Sequence, residues 1–309
     1  MQLIDGNKQP LKESPIVASI GFFDGVHLGH RYLIQQIREI ASQKGMPSGV
    51  ITFPVHPRKV LQTDYQPALL CGYEERVERL AMTGLDLCIS LDFTYEISQM
   101  SAREFIHKIL KGRYNVDTLL IGYDHRFGHN REDGFEEYQK YGAEVGINII
   151  QAKEYAGEHI SSSRIRTLLK DGDVQKAAEL LSYNYQIAGK IIEGFKVGRT
   201  IGFPTANIQS WERYKVIPAF GVYAVFVYIN DARYGGMLYI GKRPTLHNGD
   251  NVSVEVNIFD FEGNLYNQSL TAEFLEFVRP DQKFEGLEVL RKQLFKDQDD
   301  VKNILKKYF

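Results

Sequence analysis

The sequence predicts two domains of different class: a parallel α/β domain over residues 1–183, then an antiparallel β domain, barrel or sandwich, over residues 184–309 that finishes in helices. Three observations predict this. Through the first part, short apolar runs alternate with stretches of helical spacing, the order of strands joined by crossover helices. After Tyr183 the helical stretches give way to closely spaced runs rich in Val, Ile, Tyr and Phe, the texture of antiparallel β domains. And 309 residues exceed the ~250–300 at which a single core stops growing.

Taken in order, Ile16–Phe23 reads as a strand and Gly25–Gly29 as a glycine-rich turn. Leu33, Ile34, Ile37, Ile40 and Ala41 then recur at helical spacing until Gly45 and Pro47 stop them. Gly49–Phe53, Leu87–Phe93, Thr118–Tyr123 and Ile147–Ala152 are further strands, with helices around 74–82, 102–110 and 135–141 between them. Ser163–Leu169 and Val174–Leu181 read as two short helices closing this part, and the boundary falls near Leu181–Tyr185. Beyond it, Tyr185–Ile192, Gly221–Ile229, Arg233–Ile240, Val252–Phe259 and Leu270–Phe277 are strand-like. Asn230-Asp231 and Glu262-Gly263-Asn264 mark turns among them. From Phe284 onward Leu287, Leu290, Leu294, Val301, Ile304 and Leu305 return to helical spacing.

Composition narrows the partners. Hydrophobic residues make up 43% and charged residues 25%, an ordinary globular balance. The net charge of −2 supplies no basic field of the kind that recruits nucleic acid or an anionic membrane, so any bound phosphate is held by a local arrangement. Two cysteines, Cys71 and Cys88, lack metal-ligand spacing and suit a reducing compartment. With no apolar leader and no membrane-length run, the expected location is the cytoplasm and the expected partners are small molecules; the pattern carries no signal for oligomeric state.

The first cluster of functional residues is Gly21-Phe22-Phe23-Asp24-Gly25-Val26-His27-Leu28-Gly29-His30, which leaves a strand and enters a helix. Its glycines let backbone approach a ligand, and the helix N-terminus offers free N–H groups to an anion. A lone histidine here is more often a helix cap. Two histidines three apart on such a turn point instead to phosphate recognition, with Gly21, Phe22, Asp24, Gly25 and Gly29 around them. The segment has neither the lysine of a P-loop nor a Gly-x-Gly-x-x-Gly pattern. It resembles the His-x-Gly-His nucleotidyltransferases, a Rossmann-like superfamily. Ile160-Ser161-Ser162-Ser163-Arg164-Ile165-Arg166 resembles their second motif, with hydroxyls at a helix start followed by arginines. The resemblance implies that His27, His30, Ser161, Ser162, Ser163 and Arg166 hold a triphosphate, neutralising charge instead of abstracting a proton.

Two middle motifs, Thr52-Phe53-Pro54-Val55-His56-Pro57 and Gly122-Tyr123-Asp124-His125-Arg126-Phe127-Gly128, follow strands and resemble the bacterial FAD synthetase family. Val55 and His125 stand where that family usually has Pro and Phe. The resemblance implies flavin and adenosine contacts at His56, Pro57, Asp124, Arg126 and Phe127.

In the second domain, the stretch from Gly189 to Ile208 carries Gly194, Lys196, Gly198 and Arg199, a loop suited to phosphates. Its Pro204-Thr205-Ala206-Asn207 end sets two oxygen-bearing side chains, Thr205 and Asn207, on one face of an extended segment. Hard oxygen donors of this kind suit Mg²⁺ bridging to substrate phosphates. This stretch resembles riboflavin kinase, a Greek-key β-barrel. So do Gly221-Val222-Tyr223-Ala224, the run from Ile240 to Thr245, and Val254-Glu255-Val256-Asn257-Ile258-Phe259-Asp260. Asn257 stands where His is common. The resemblance implies that Glu255 takes the proton from the ribityl 5′-hydroxyl as it attacks the γ-phosphorus of ATP. Both resemblances together imply a bifunctional enzyme that makes FMN from riboflavin and ATP, then FAD from FMN and a second ATP. Two narrower alternatives are retention of one activity, the kinase before the transferase, and a non-catalytic flavin-binding regulator.

Overall fold

Six strands form one all-parallel sheet: β1 (Gln2–Asp5), β2 (Ile16–Ile20), β3 (Ser48–Thr52), β4 (Leu87–Ser90), β5 (Val116–Ile121) and β6 (Asn148–Gln151), in the order β1-β4-β3-β2-β5-β6. The computed structural model describes the chain except residues 9, 10, 12, 13, 63, 123–125, 130, 131, 194–201, 231, 243–251, 264, 266, 267 and 309. The chain divides into two compact units, Met1–Ser161 and Ser162–Phe309.

The sheet of the first unit is covered on both faces, so its strands read as continuous apolar runs. Ile16, Ala18 and Ile20 of β2 pack into one core with Phe105, Ile109 and Tyr138. Val17 points the other way and packs with Ile34, Ile37 and Ala41 of helix α1 (Leu28–Lys44). Helix α1 ends where expected. Gly45 takes the left-handed conformation at φ 63°, and the Met46 amide donates to Ala41 O at 2.9 Å. Strand order runs outward from β2 to β4, then returns past β2 to β5. The reversal therefore lies between β2 and β5, and the carboxyl ends of those strands are where open α/β sheets bind ligands.

Short helices α2 (Pro57–Leu61), α3 (Tyr73–Ala81) and α4 (Tyr95–Gln99) complete this side. The single helix expected over 102–110 is instead a three-residue α-helical turn, α5 (Ala102–Glu104), that widens into a π-type segment, Phe105–Lys111. Amides of Gly112 and Tyr114 reach back five residues to His107 O and Ile109 O; the wider turn puts Phe105, Ile106, Ile109 and Leu110 all into the core. Helix α6 (Phe135–Glu144) follows. The edge strand β1 escaped the sequence reading because only Ile4 of its four residues is buried, too little for a period.

In the second unit, α7 (Ser162–Asp171) and α8 (Val174–Leu181), expected to close the first half, pack with the β-rich part. The Ala219 amide donates to Leu169 O at 2.9 Å, and Gly172 lies against Ala219 and Phe277. The barrel-or-sandwich alternative resolves to a closed six-stranded barrel. It consists of β7 (Gln186–Ile192), β8 (Ala206–Ser210), β9 (Gly221–Ile229), β10 (Ala232–Lys242), β11 (Val252–Ile258) and β12 (Ser269–Pro280), in the order β10-β11-β8-β7-β12-β9. Strand β8 was not predicted as a strand. It is short and pairs with β11 at only two positions, Glu255 opposite Asn207 and Val256 opposite Ala206.

Strand β9 is buried on both sides because one face lines the barrel and the other, with Val222, Ala224 and Phe226, packs under Val301 and Leu305 of helix α9 (Leu287–Leu305). Among the described residues the tail is this one helix, not several. Its first apolar residue, Leu287, stays exposed because packing begins only near Leu294. A buried ion pair pins the helix: Arg279 at the end of β12 donates to both Asp297 oxygens, at 2.9 Å from Nε and 2.7 Å from Nη2. Gln293 donates a further hydrogen bond to Asp297 at 2.7 Å.

Candidate active sites

After β2 the backbone makes a strained turn. Phe23 (φ 55°) and Val26 (φ 40°) both sit at positive φ, a conformation that costs on the order of 1–3 kcal/mol for such residues; between them Gly25 (φ 81°) adopts it freely. What holds the turn is buried beneath it. The Asp24 carboxylate accepts from the amides of Leu70 (2.9 Å) and Cys71 (3.3 Å), and the Gly25 amide donates to Cys71 Sγ at 3.1 Å. Burial, then the Asp24 charge, pushes the Cys71 thiol up to about 12, so it stays protonated and serves as a packed acceptor. Asp24, expected near phosphate, thus has its carboxylate turned inward as a brace.

The turn delivers the histidine pair. His27 caps helix α1, its Nδ1 accepting from the His30 amide at 3.3 Å, which leaves the proton of the neutral ring on Nε2. The two imidazoles stack at 3.6 Å, and Gly29 permits this arrangement of the first turn, since a Cβ there would press on the His27 ring at 3.3 Å. His27 is buried. His30 is half-buried as a residue, but its Nδ1 is fully buried and has no hydrogen-bond partner. Burial, with His27 and Arg76 beside it, holds the His30 imidazole well below the ordinary histidine range.

That depression has a sign. Below 6.5 the unfolded chain protonates His30 while the folded ring resists, so the unfolded state binds more protons and stability falls as pH drops through 6.5. Urea titrations on either side of that pH are expected to show this loss, and His30→Gln is expected to flatten it.

The sequence reading missed Arg76, a buried arginine on α3 that is 1% exposed. Its Nη2 donates to Phe53 O at 2.6 Å and its guanidinium lies 4.0 Å over the Phe22 ring, while Phe22 meets His56 edge-on at 4.7 Å. Arg76 therefore ties the loop after β2 to the loop after β3, both at the ligand-binding ends of the strands. A helical arginine between Glu75 and Val77 reads as surface in sequence; only the fold buries it. His56 caps α2 by accepting from the Arg58 amide at 3.1 Å, with Pro57 at the first helical position. Gly21 donates its amide to Ile51 O at 3.0 Å. Arg126 is exposed. Phe127 stacks on Tyr138 at 4.3 Å, and the Tyr138 hydroxyl bridges the Phe127 backbone N–H and C=O at 3.0 Å each. Asp124 lies outside the described residues.

Ser161 is the last residue of the first unit, and Ser162 and Ser163 open α7 in the second, with Arg166 Nη1 3.5 Å from Ser163 Oγ. Gly194, Lys196, Gly198 and Arg199 lie outside the described residues. The other expected residues do come together. The β8–β11 register sets Asn207 directly across from Glu255. Thr205 Oγ1 donates to Glu255 Oε2 at 3.1 Å and Ser253 Oγ to Glu255 Oε1 at 2.7 Å. Asn207 and Ser253 are buried, whereas Thr205 is exposed, so the cluster opens outward at the threonine. Tyr239 faces Glu255 across the β10–β11 ladder; burial first, then its hydrogen bond to Asp281 at 3.0 Å, pushes the phenol up to about 12. Asn257 donates to Pro204 O at 2.7 Å, fastening the segment before Thr205. Among the described residues no group of three or more His, Cys, Asp or Glu could hold a metal; the uncharged oxygen donors at this spot include the Thr205 hydroxyl and the Asn207 amide. Those donors fit Mg²⁺: the Thr205 proton goes to Glu255, leaving its lone pairs available.

Sheet and barrel define the class of protein: a parallel α/β unit followed by a closed β-barrel unit, each carrying a cluster of polar groups. An FAD synthetase family model matches residues 9–164 and a riboflavin kinase model residues 181–305. A bifunctional riboflavin kinase/FMN adenylyltransferase of Listeria monocytogenes is 38% identical across 93% of this chain and 91% of its own length. A relative of the same name from Escherichia coli is 35% identical across 96% of both. A solved structure titled as a macrolide-efflux protein from Streptococcus pneumoniae matches 98% of each chain, with TM-score 0.86 and 31% identity. No helix among the described residues is long and apolar enough to cross a membrane. The chain belongs to the bifunctional riboflavin kinase/FMN adenylyltransferase family.

Proposed function

We propose that this chain carries both activities of its family, phosphorylating riboflavin to FMN with ATP and then adenylating FMN to FAD with release of pyrophosphate, in the cytoplasm. Two family matches of opposite halves on one chain support the bifunctional reading over a lone kinase or a regulator. We keep the functional boundary at 183/184, assigning Ser161, Ser162, Ser163 and Arg166 to the triphosphate of adenylyl transfer on the sequence resemblance.

The single observation that carries the kinase chemistry is the convergence of Thr205, Ser253 and Asn207 on Glu255. Glu255 accepts the proton of the flavin's terminal hydroxyl as that oxygen bonds to the γ-phosphorus and the γ-to-β bridging bond breaks, releasing ADP. Mg²⁺ held by Thr205 and Asn207 would neutralise charge on the transferring phosphates. Gly194, Lys196, Gly198 and Arg199 are assigned to the phosphates on the sequence resemblance.

For adenylyl transfer, the supporting observation is the stacked His27–His30 pair at the helix tip beside the switch point. The FMN phosphate attacks the α-phosphorus of ATP and pyrophosphate leaves, while His27 and His30 hold oxygens in place. His56, Pro57, Asp124, Arg126 and Phe127 are assigned to flavin and adenosine. Incubating the purified protein with riboflavin, ATP and Mg²⁺ and separating the flavins tests the whole reading. FMN followed by FAD is expected; FMN alone overturns the second activity.

A further inference from the structure

We propose that Ser253 is a positioning residue of the kinase site, whose single hydroxyl proton fixes the Glu255 carboxylate while its lone pairs orient the Asn207 amide. The inference rests on the kinase reading above and adds to it a residue that no motif marked.

Ser253 and Glu255 are two apart on β11 and therefore share a face, with Asn207 opposite Glu255 on β8. Ser253 Oγ lies 2.7 Å from Glu255 Oε1 and 3.4 Å from Asn207 Oδ1, and the residue is 3% exposed. Both of those atoms are acceptors, and a serine hydroxyl has one proton. The short contact to the carboxylate takes it. The longer contact is then satisfied with the Asn207 amide turned over, amide oxygen and nitrogen being nearly indistinguishable in shape. In that arrangement Nδ2 donates to Ser253 and Oδ1 faces away from it. One buried hydroxyl thus sets two side chains. Thr205 holds the second Glu255 oxygen at 3.1 Å, so both carboxylate oxygens are restrained before substrate arrives.

Such restraint acts on the chemical step and not on flavin affinity. Ser253→Ala is expected to lower the kinase kcat about ten- to hundred-fold, the range for losing one hydrogen bond to a charged group. The KM for riboflavin should stay within about two-fold, because positioning acts after binding. Riboflavin binding without ATP, read by flavin fluorescence quenching, and FAD formation from supplied FMN should both be unchanged. Ser253→Thr, which keeps the hydroxyl on a strand-compatible residue, should retain kcat within about three-fold. The double variant Glu255→Gln/Ser253→Ala should be no slower than Glu255→Gln alone, since a residue acting through Glu255 has nothing left to position. Unchanged kcat in Ser253→Ala, a loss in Ser253→Thr as large as that in alanine, or additive losses in the double variant would each overturn the proposal. If Glu255→Gln itself leaves the kinase intact, the failure belongs to the underlying reading instead.

Discussion

Glu255→Gln is expected to cut FMN formation by roughly 10²–10⁴ while FAD formation from supplied FMN stays near normal. Glutamine keeps the length and planarity of the side chain but cannot take up the proton of the attacking hydroxyl. The fold should tolerate the change. Thr205 and Ser253 now donate to the two carboxylate oxygens. Facing a glutamine, one continues to donate to the amide oxygen, and the other rotates its hydroxyl to accept from the amide nitrogen. The loss is therefore chemical, and it should appear in kcat measured by separation of the flavin products. Equal loss of both activities would mean that the two sites do not work independently.

His30→Ala is expected to do the reverse, lowering FAD formation by roughly 10²–10³, the loss typical of removing one charge-stabilising donor, with FMN formation unaffected. The mechanism is electrostatic positioning. Burial keeps the ring neutral, so it offers a hydrogen-bond donor without adding a cation to a site already close to Arg76. The same variant removes half of the stacked pair with His27 at 3.6 Å, but the helix cap is spared: His27 accepts from the backbone amide of residue 30, which alanine retains. Unfolding should thus shift little while adenylyl transfer, assayed with FMN and ATP as pyrophosphate release, nearly vanishes. Normal pyrophosphate release from His30→Ala would remove the histidine pair from the mechanism.

Both halves of the fold were legible because their signals are local. The run from Ile16 through Ala41 shows a strand, a glycine turn and an amphipathic helix within one stretch, and α1 starts and stops within a few residues of the expected signals. Where the reading failed, the local signal was weak or misleading. Strand β1 buries one side chain, β8 is five residues long and meets β11 at only two rungs, and the π-type segment at Phe105–Lys111 has the apolar spacing of an ordinary helix. In the candidate sites, residue types were readable and directions were not. Asp24 sits in the phosphate turn by sequence, yet its carboxylate serves the amides of Leu70 and Cys71, 46 and 47 residues away.

By itself the sequence determined which chemistry is present: a histidine pair at a helix start, oxygen donors at Thr205 and Asn207, and a carboxylate at Glu255, each recognisable from its immediate neighbours. Only the tertiary structure decided how those groups are held. Thr205 and Glu255 are 50 residues apart, and they meet because barrel closure sets the β8–β11 register. Arg76 and Ser253 became visible by the same means, since burial and strand pairing arise from contacts between distant segments, which no local pattern encodes.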